Sequence, residues 1–242
     1  MRRDVDHAPA RFPTTRASLI LAVRQPEFRA EALQAIIETY WKPVYKYARL
    51  KWSRSPEDAQ DLTQDFFASL LQRDLLSRWE PARASFRTYL RLCLDSHAKN
   101  DLTASNRLKR GGAAQSVSLD FEAAERELPL AAPDSSPEDL FHREWQRRMF
   151  ELALNDLAAH CESTARQTQW RVFLQYDLAH AARPSYDQLA VEHALPVTTI
   201  TNYLSWARRE LRRILLDRLA RTTGGGSELR REARDLLHGQ LK

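Results

Sequence analysis

The sequence predicts an all-α protein, and three observations carry that expectation. Leu, Ala and Arg dominate the composition, and such residues lose little conformational freedom in a helix. Glycine is scarce, at 6 among 242 residues, and no spaced set of Val/Ile/Thr runs marks out strands. Apolar residues recur at helical spacing in several separate segments. Hydrophobic residues are 43% of the chain, enough to bury a core and to exclude wholesale disorder. The length suits one large domain or two small ones.

Three capping signals organise the chain. Ser55-Pro56-Glu57-Asp58 offers a hydroxyl acceptor, a proline whose missing N–H would be unpaired at a first helical position, and two carboxylates for the positive helix end. Ser136-Pro137-Glu138-Asp139 repeats this logic. Ser185-Tyr186-Asp187-Gln188 has the capping-box pattern. Leu33, Ile36, Ile37, Tyr40, Trp41, Val44 and Ala48 form a first apolar stripe, which Pro43 is expected to kink or split. Ala59, Leu62, Phe66 and Leu70 form a second. Phe86, Tyr89, Leu90, Cys93 and His97 form a third.

Between the first two signals the composition changes. Gly111, Gly112, Pro129 and Pro133 punctuate a stretch that is basic at Arg107, Lys109 and Arg110 and acidic at Asp120, Glu122, Glu125 and Glu127. It reads as a flexible linker, since structureless loops of that length are uncommon inside a compact domain. The expected organisation is a helical domain over residues 12–104, a linker over 105–135, a second helical domain over 136–221 and an extension over 222–242. Gly224 to Gly226 set off the short charged helix of that extension.

The formal net charge is +5 and the pI about 9.4, which fits nucleic-acid binding only loosely. The 2 cysteines, Cys93 and Cys161, form no Cys-x-x-Cys pair, and no zinc spacing follows His160, so both read as buried thiols. The polar N-terminus has no apolar signal core, and no apolar run reaches membrane-spanning length. A protein of the cytoplasm, with no membrane insertion, is expected. No Gly-rich phosphate loop, His-Glu-x-x-His or nucleophile elbow is present. We therefore expect no enzyme, no catalytic residue, no cofactor and no metal.

Asp58, Asp61 and Asp65 fall on one face of the helix opened by Ser55, with Gln64 beside them. Clustered carboxylates give an isolated helix nothing, so the face reads either as solvated surface or as a docking face for a basic partner. In the helix near Phe86, Arg87 and Arg91 lie one turn apart, with Lys99 downstream and Trp79, Phe86 and Tyr89 nearby. Cations that hold phosphates beside rings that take unstacked bases suit single-stranded or opening DNA, and a core helix with a basic outer face is the rival reading. Near the C-terminus, with Ala190 as the fifth position of a helix-turn-helix, the turn falls on Ala194 and the buried positions on Ile200 and Tyr203. Leu189, Leu195 and Leu204 complete a small core. Thr198, Thr199, Thr201, Asn202 and Ser205 would then face base edges or phosphates, and Arg208, Arg209, Arg212 and Arg213 continue as a basic stripe. The turn usually takes Gly, so a left-handed Ala194 costs about 1 kcal/mol.

In that order, these features resemble the two-domain sigma factors of the sigma-70 family, extracytoplasmic-function (ECF) type. The resemblance rests on Phe12-Pro13-Thr14-Thr15-Arg16, on Tyr40 to Tyr45, on Pro56 to Phe67 and on Phe86-Arg87-Thr88-Tyr89-Leu90. It continues through Lys109 to Gly112, Ser118 to Phe121 and Ser185 to Ala190. It implies a first domain that binds the β′ clamp coiled coil of core RNA polymerase through Asp58, Asp61, Gln64 and Asp65. It implies −10 strand contacts from Arg87, Arg91, Ser96, Lys99 and Asn100. Members often have Asn where Ser96 stands and Asp where Asn100 stands. The second domain would read the −35 element with Thr198, Thr199, Thr201, Asn202, Ser205, Arg208 and Arg209, and the linker would thread the polymerase cleft. An anti-sigma factor would restrain it or a Ser/Thr kinase would regulate it, with Thr63 as the candidate phosphosite. The alternatives are a helix-turn-helix regulator that acts without polymerase, and a helical protein-interaction adaptor.

Overall fold

Ser55, Ser136 and Ser185 each start a helix as their sequence context predicts. Ser55 Oγ accepts from the Asp58 N–H at 3.1 Å, and Ser136 Oγ accepts from the Asp139 N–H at 3.0 Å. Ser185 and Gln188 form both halves of a capping box. The computed structural model describes residues 26–104, 119–128, 136–179 and 183–238. Among these residues all regular structure is helical. In chain order the helices are α1 (Pro26–Lys51), α2 (Pro56–Gln72), α3 (Phe86–Ala104), α4 (Phe121–Arg126), α5 (Pro137–Ser163), α6 (Gln167–Asp177), α7 (Tyr186–Glu192), α8 (Val197–Arg221) and α9 (Gly226–His238). A 3-10 turn, Leu76–Arg78, lies between α2 and α3.

α1 runs unbroken through Pro43, which was expected to kink or split it. A proline there removes a ladder donor. The carbonyl left without a helical donor is that of Thr39, and the burial of Tyr40, Val44 and Tyr47 against neighbouring helices holds α1 together across this point. Tertiary contact thus supports a helix that local propensity disfavours.

The first stripe is buried almost whole: Leu33, Ile36, Tyr40, Trp41, Val44 and Ala48. It packs on α2 along one side and on α5 along the other. The sequence reading keeps the two helical blocks apart. In the structure Phe141, Trp145, Met149 and Leu219 share one continuous core with Ile36, Tyr40, Phe66 and Phe86. Two long helices with apolar stripes bury more area against each other than either does alone, at about 25 cal/mol per Å². The acidic part of the expected linker also contributes. Asp120 caps α4 by accepting from the Ala123 N–H at 2.9 Å. Phe121 then packs edge-on against Trp41, with ring centroids 5.4 Å apart. Arg107, Lys109, Arg110, Gly111 and Gly112 lie outside the described residues, as do Pro129, Pro133 and the motif at Phe12.

The seam between α1, α4 and α5 holds charge as well as apolar surface. Lys46 is fully buried and reaches Glu144 at 2.6 Å and Glu127 at 3.1 Å. Lys42 reaches Glu127 and Glu151, each at 3.0 Å. A second, smaller cluster of Val172, Leu189, Ile200 and Leu204 joins α6, α7 and α8.

Candidate functional site

The acidic face of α2 is presented to solvent. Asp58, Asp61, Gln64 and Asp65 are exposed, while Ala59, Leu62, Thr63, Phe66, Phe67 and Leu70 turn inward. This division follows from the 3.6-residue period alone. Partial burial pushes Asp65 above the ordinary carboxylate range; His97 opposes this, and Asp61 and Asp101 add to it. Thr63, expected as a phosphosite, lies on the wrong side of the helix for that role. It has no exposed surface, and its hydroxyl donates to the Ala59 carbonyl at 2.7 Å. No kinase reaches it unless α2 leaves its neighbours.

The basic helix α3 has two parts. Its later turns carry Ser96, Lys99 and Asn100 on the surface. Its first turns carry Arg87 and Arg91, both engaged within the chain. Arg87 makes a charge contact at 2.8 Å with Glu232 of α9, and its guanidinium lies 4.4 Å over the Trp145 ring. Arg91 reaches Glu138 of α5 at 2.8 Å and Asp95 at 3.2 Å. The aromatics expected to stack on bases are instead structural. Trp79 and Phe86 are buried edge-to-face with centroids 5.2 Å apart, and Trp79 Nε1 donates to the Ala84 carbonyl at 3.0 Å. The Tyr89 hydroxyl donates to the Leu75 carbonyl at 2.6 Å. Their core spacing was legible in the sequence, and burial decided between the two readings.

In the C-terminal block α7 and α8 meet at a turn on Ala194, whose φ of 52° is left-handed as the spacing predicts. Leu189 and Ile200 are buried beneath it, with Leu204 rather than Tyr203 as the third deep residue and Tyr203 half-buried. The exposed side of α8 carries Thr198, Asn202, Ser205, Arg208 and Arg209, while Thr199 and Thr201 are half-buried. Thr201 donates its hydroxyl to the Thr198 carbonyl at 2.9 Å. Arg208 forms a bidentate pair with Asp177, both contacts at 2.9 Å, and that pairing raises its pKa. Farther along, Arg213 is held by Glu210 and Asp217.

Sequence reasoning missed the anionic partners of Phe86 and Arg87 at the start of α3. Glu228 and Glu232 of α9 are both buried, one turn apart and in register with buried Leu236. That i, i+4, i+8 row is the signal that could have placed them against another helix. Burial pushes Glu232 above the ordinary carboxylate range, opposed by Arg87. Cys161 is buried and Cys93 half-buried, and burial raises both thiols. Among the described residues no His/Cys/Asp/Glu group is placed to hold a metal ion, and no helix is long and apolar enough to cross a membrane.

Residues 36–108 match the family model for sigma-70 region 2. The match takes in most of α1, all of α2 and all of α3, and leaves residues from 109 onward outside it. No curated protein and no solved structure matches the chain. Asp58, Asp61, Gln64 and Asp65 lie within the matched span, as do Arg87, Arg91, Ser96, Lys99 and Asn100. Over this span, which is less than half of the chain, the protein is similar to sigma-70 region 2.

Proposed function

We propose that the protein is an alternative sigma factor of the ECF type, a non-enzymatic subunit that brings core RNA polymerase to particular promoters. The observation that carries this reading is the solvent-facing row Asp58, Asp61, Gln64 and Asp65 inside a matched region 2. Asp58 favours the start of α2, but Asp61 and Asp65 lie beyond its first turn and add nothing to the isolated helix, so their use lies in a basic partner, here the β′ clamp coiled coil. Arg87, Arg91, Ser96, Lys99 and Asn100 then take the −10 strand. The α7–turn–α8 unit acts as a helix-turn-helix that sets Thr198, Asn202 and Arg209 at the −35 duplex, where each good base contact gives about 1–3 kcal/mol of discrimination. Catalysis belongs to the polymerase.

On this reading residues 12–104 and 136–221 act as separate modules on DNA, joined by residues 105–135 and followed by the extension 222–242. The charged seam of Lys42, Lys46, Glu127, Glu144 and Glu151 is then the surface that opens when they part. An anti-sigma factor or an upstream kinase signal acting elsewhere than Thr63 would control that step in the cytoplasm. The test is reconstitution with core polymerase and transcription of genomic fragments. We expect discrete start sites that depend on the protein. Tight duplex binding without polymerase, and no start sites with it, would favour the polymerase-independent regulator. The absence of any salt-dependent DNA binding would favour the adaptor.

A further inference from the structure

We propose that α9 is an intramolecular clasp: its two buried carboxylates occupy the anion-binding start of α3, and promoter DNA must displace them. The proposal rests on the assignment of Arg87 to the −10 strand. The N-terminus of a helix, with its free N–H groups and positive dipole end, attracts anions. At the start of α3 that place is filled by Glu228, whose Oε1 accepts from the Phe86 N–H at 2.8 Å. Its Oε2 accepts from the Gly224 N–H at 2.6 Å, so both oxygens are used. One turn along α9, Glu232 meets Arg87 at 2.8 Å. A backbone N–H and a guanidinium on adjacent residues thus hold two carboxylates, the same chemistry that holds two phosphates.

Independent packing fixes the clasp in this register. A side chain at Gly224 would meet Trp79 and Pro81 at 2.5 Å, so the chain passes there too closely for any other residue. Gly225 has φ +147°, a conformation that favours glycine. The glycine run is therefore a tight bend that seats α9, rather than only a spacer. Leu236 is buried, and Gln146 of α5 donates to the Asp235 carbonyl at 3.0 Å at the far end. The outer face of α9 carries exposed Arg230, Arg231 and Arg234. Glu228 and Glu232 point inward, while Arg230, Arg231 and Arg234 outnumber the exposed Asp235 on the outer face, so approaching DNA finds a net cationic surface over an anionic plug. Because the plug is tethered, it competes at high effective concentration and lowers the fraction of molecules with Arg87 available.

The full chain tests this with Glu232→Gln and with Glu228→Gln/Glu232→Gln. The probe is a labelled single-stranded DNA pool of degenerate sequence, about 12 nucleotides long, at low salt. By fluorescence anisotropy the double variant should bind roughly ten-fold tighter than the parent or more, and adding Arg87→Ala should remove the gain. Hydrogen exchange of the α9 amides in the same proteins should be faster in the double variant. Unchanged exchange, in a variant whose circular dichroism matches the parent, overturns the clasp. Faster exchange without tighter DNA binding overturns the occlusion, and counts against Arg87 as a strand contact rather than against α9 as a clasp.

Discussion

Lys46 of α1 and Glu144 of α5 form an ion pair at 2.6 Å in the protein interior, with Lys46 wholly enclosed and Glu144 almost so. The two residues stand 98 positions apart in the chain, so this pair ties region 2 to the C-terminal block. A buried pair gives little net stability against an apolar replacement, but losing one partner strands a charge. Lys46→Ala should therefore lower unfolding stability by about 3–5 kcal/mol. Lys46→Met combined with Glu144→Leu should recover most of that loss. Urea titrations of the two variants check it, and equal losses in both would contradict the pairing.

Acid should loosen the docking of α4. Glu125 is held below the ordinary carboxylate range by hydrogen bonds from Arg49, which outweigh its desolvation, with help from Tyr45. Burial pushes Glu127 up, but hydrogen bonds from Lys42 and Lys46 more than offset this and leave it lowered. A depressed carboxylate stabilises the fold above its unfolded pKa, and that contribution is lost as pH falls through the folded value. The window thus lies at and below the ordinary Glu range, near pH 4.5 and under. Trp41 fluorescence, which senses Phe121, should change there, and Glu125→Gln/Glu127→Gln should flatten the response.

Asp61→Arg should leave the melting temperature within about 1–2 °C of the parent, because surface substitutions of this kind are usually small. The same change should abolish capture by core polymerase in a pull-down. Retained capture would remove the α2 face from the polymerase interface.

At Ala194 the left-handed φ of 52° carries a steric cost that glycine avoids. Ala194→Gly gives back part of that gain through the freer unfolded chain. The net expectation is a stabilisation of at most about 1 kcal/mol. Ala194→Val should instead cost about 1–2 kcal/mol, since a branched side chain fits that conformation poorly. Thermal unfolding of the three proteins decides it.

Thr63→Glu should destabilise rather than mimic a useful phosphate, because the carboxylate would enter the α2 core without a partner. A loss of about 2 kcal/mol or more is expected, against about 1 kcal/mol for Thr63→Ala. Chemical denaturation separates the two. A stable Thr63→Glu protein with raised promoter activity would restore the residue as a phosphosite.

The sequence alone determined the features that depend on neighbours a few residues away. Ser55, Ser136 and Ser185 mark helix starts because a cap is satisfied within three residues. The acidic row on α2 and the turn at Ala194 follow from helical spacing, which is equally local. Tertiary structure decided which surfaces meet. Arg87 is as basic in the sequence as Arg209, yet Glu232 covers the first, and the second is exposed. Nothing local to Lys42 and Lys46 signals that α4 and α5 close over them. Periodicity says which side of a helix is apolar, but a charged partner far along the chain is chosen by the packing of whole helices, whose combined burial outweighs the charge placed between them.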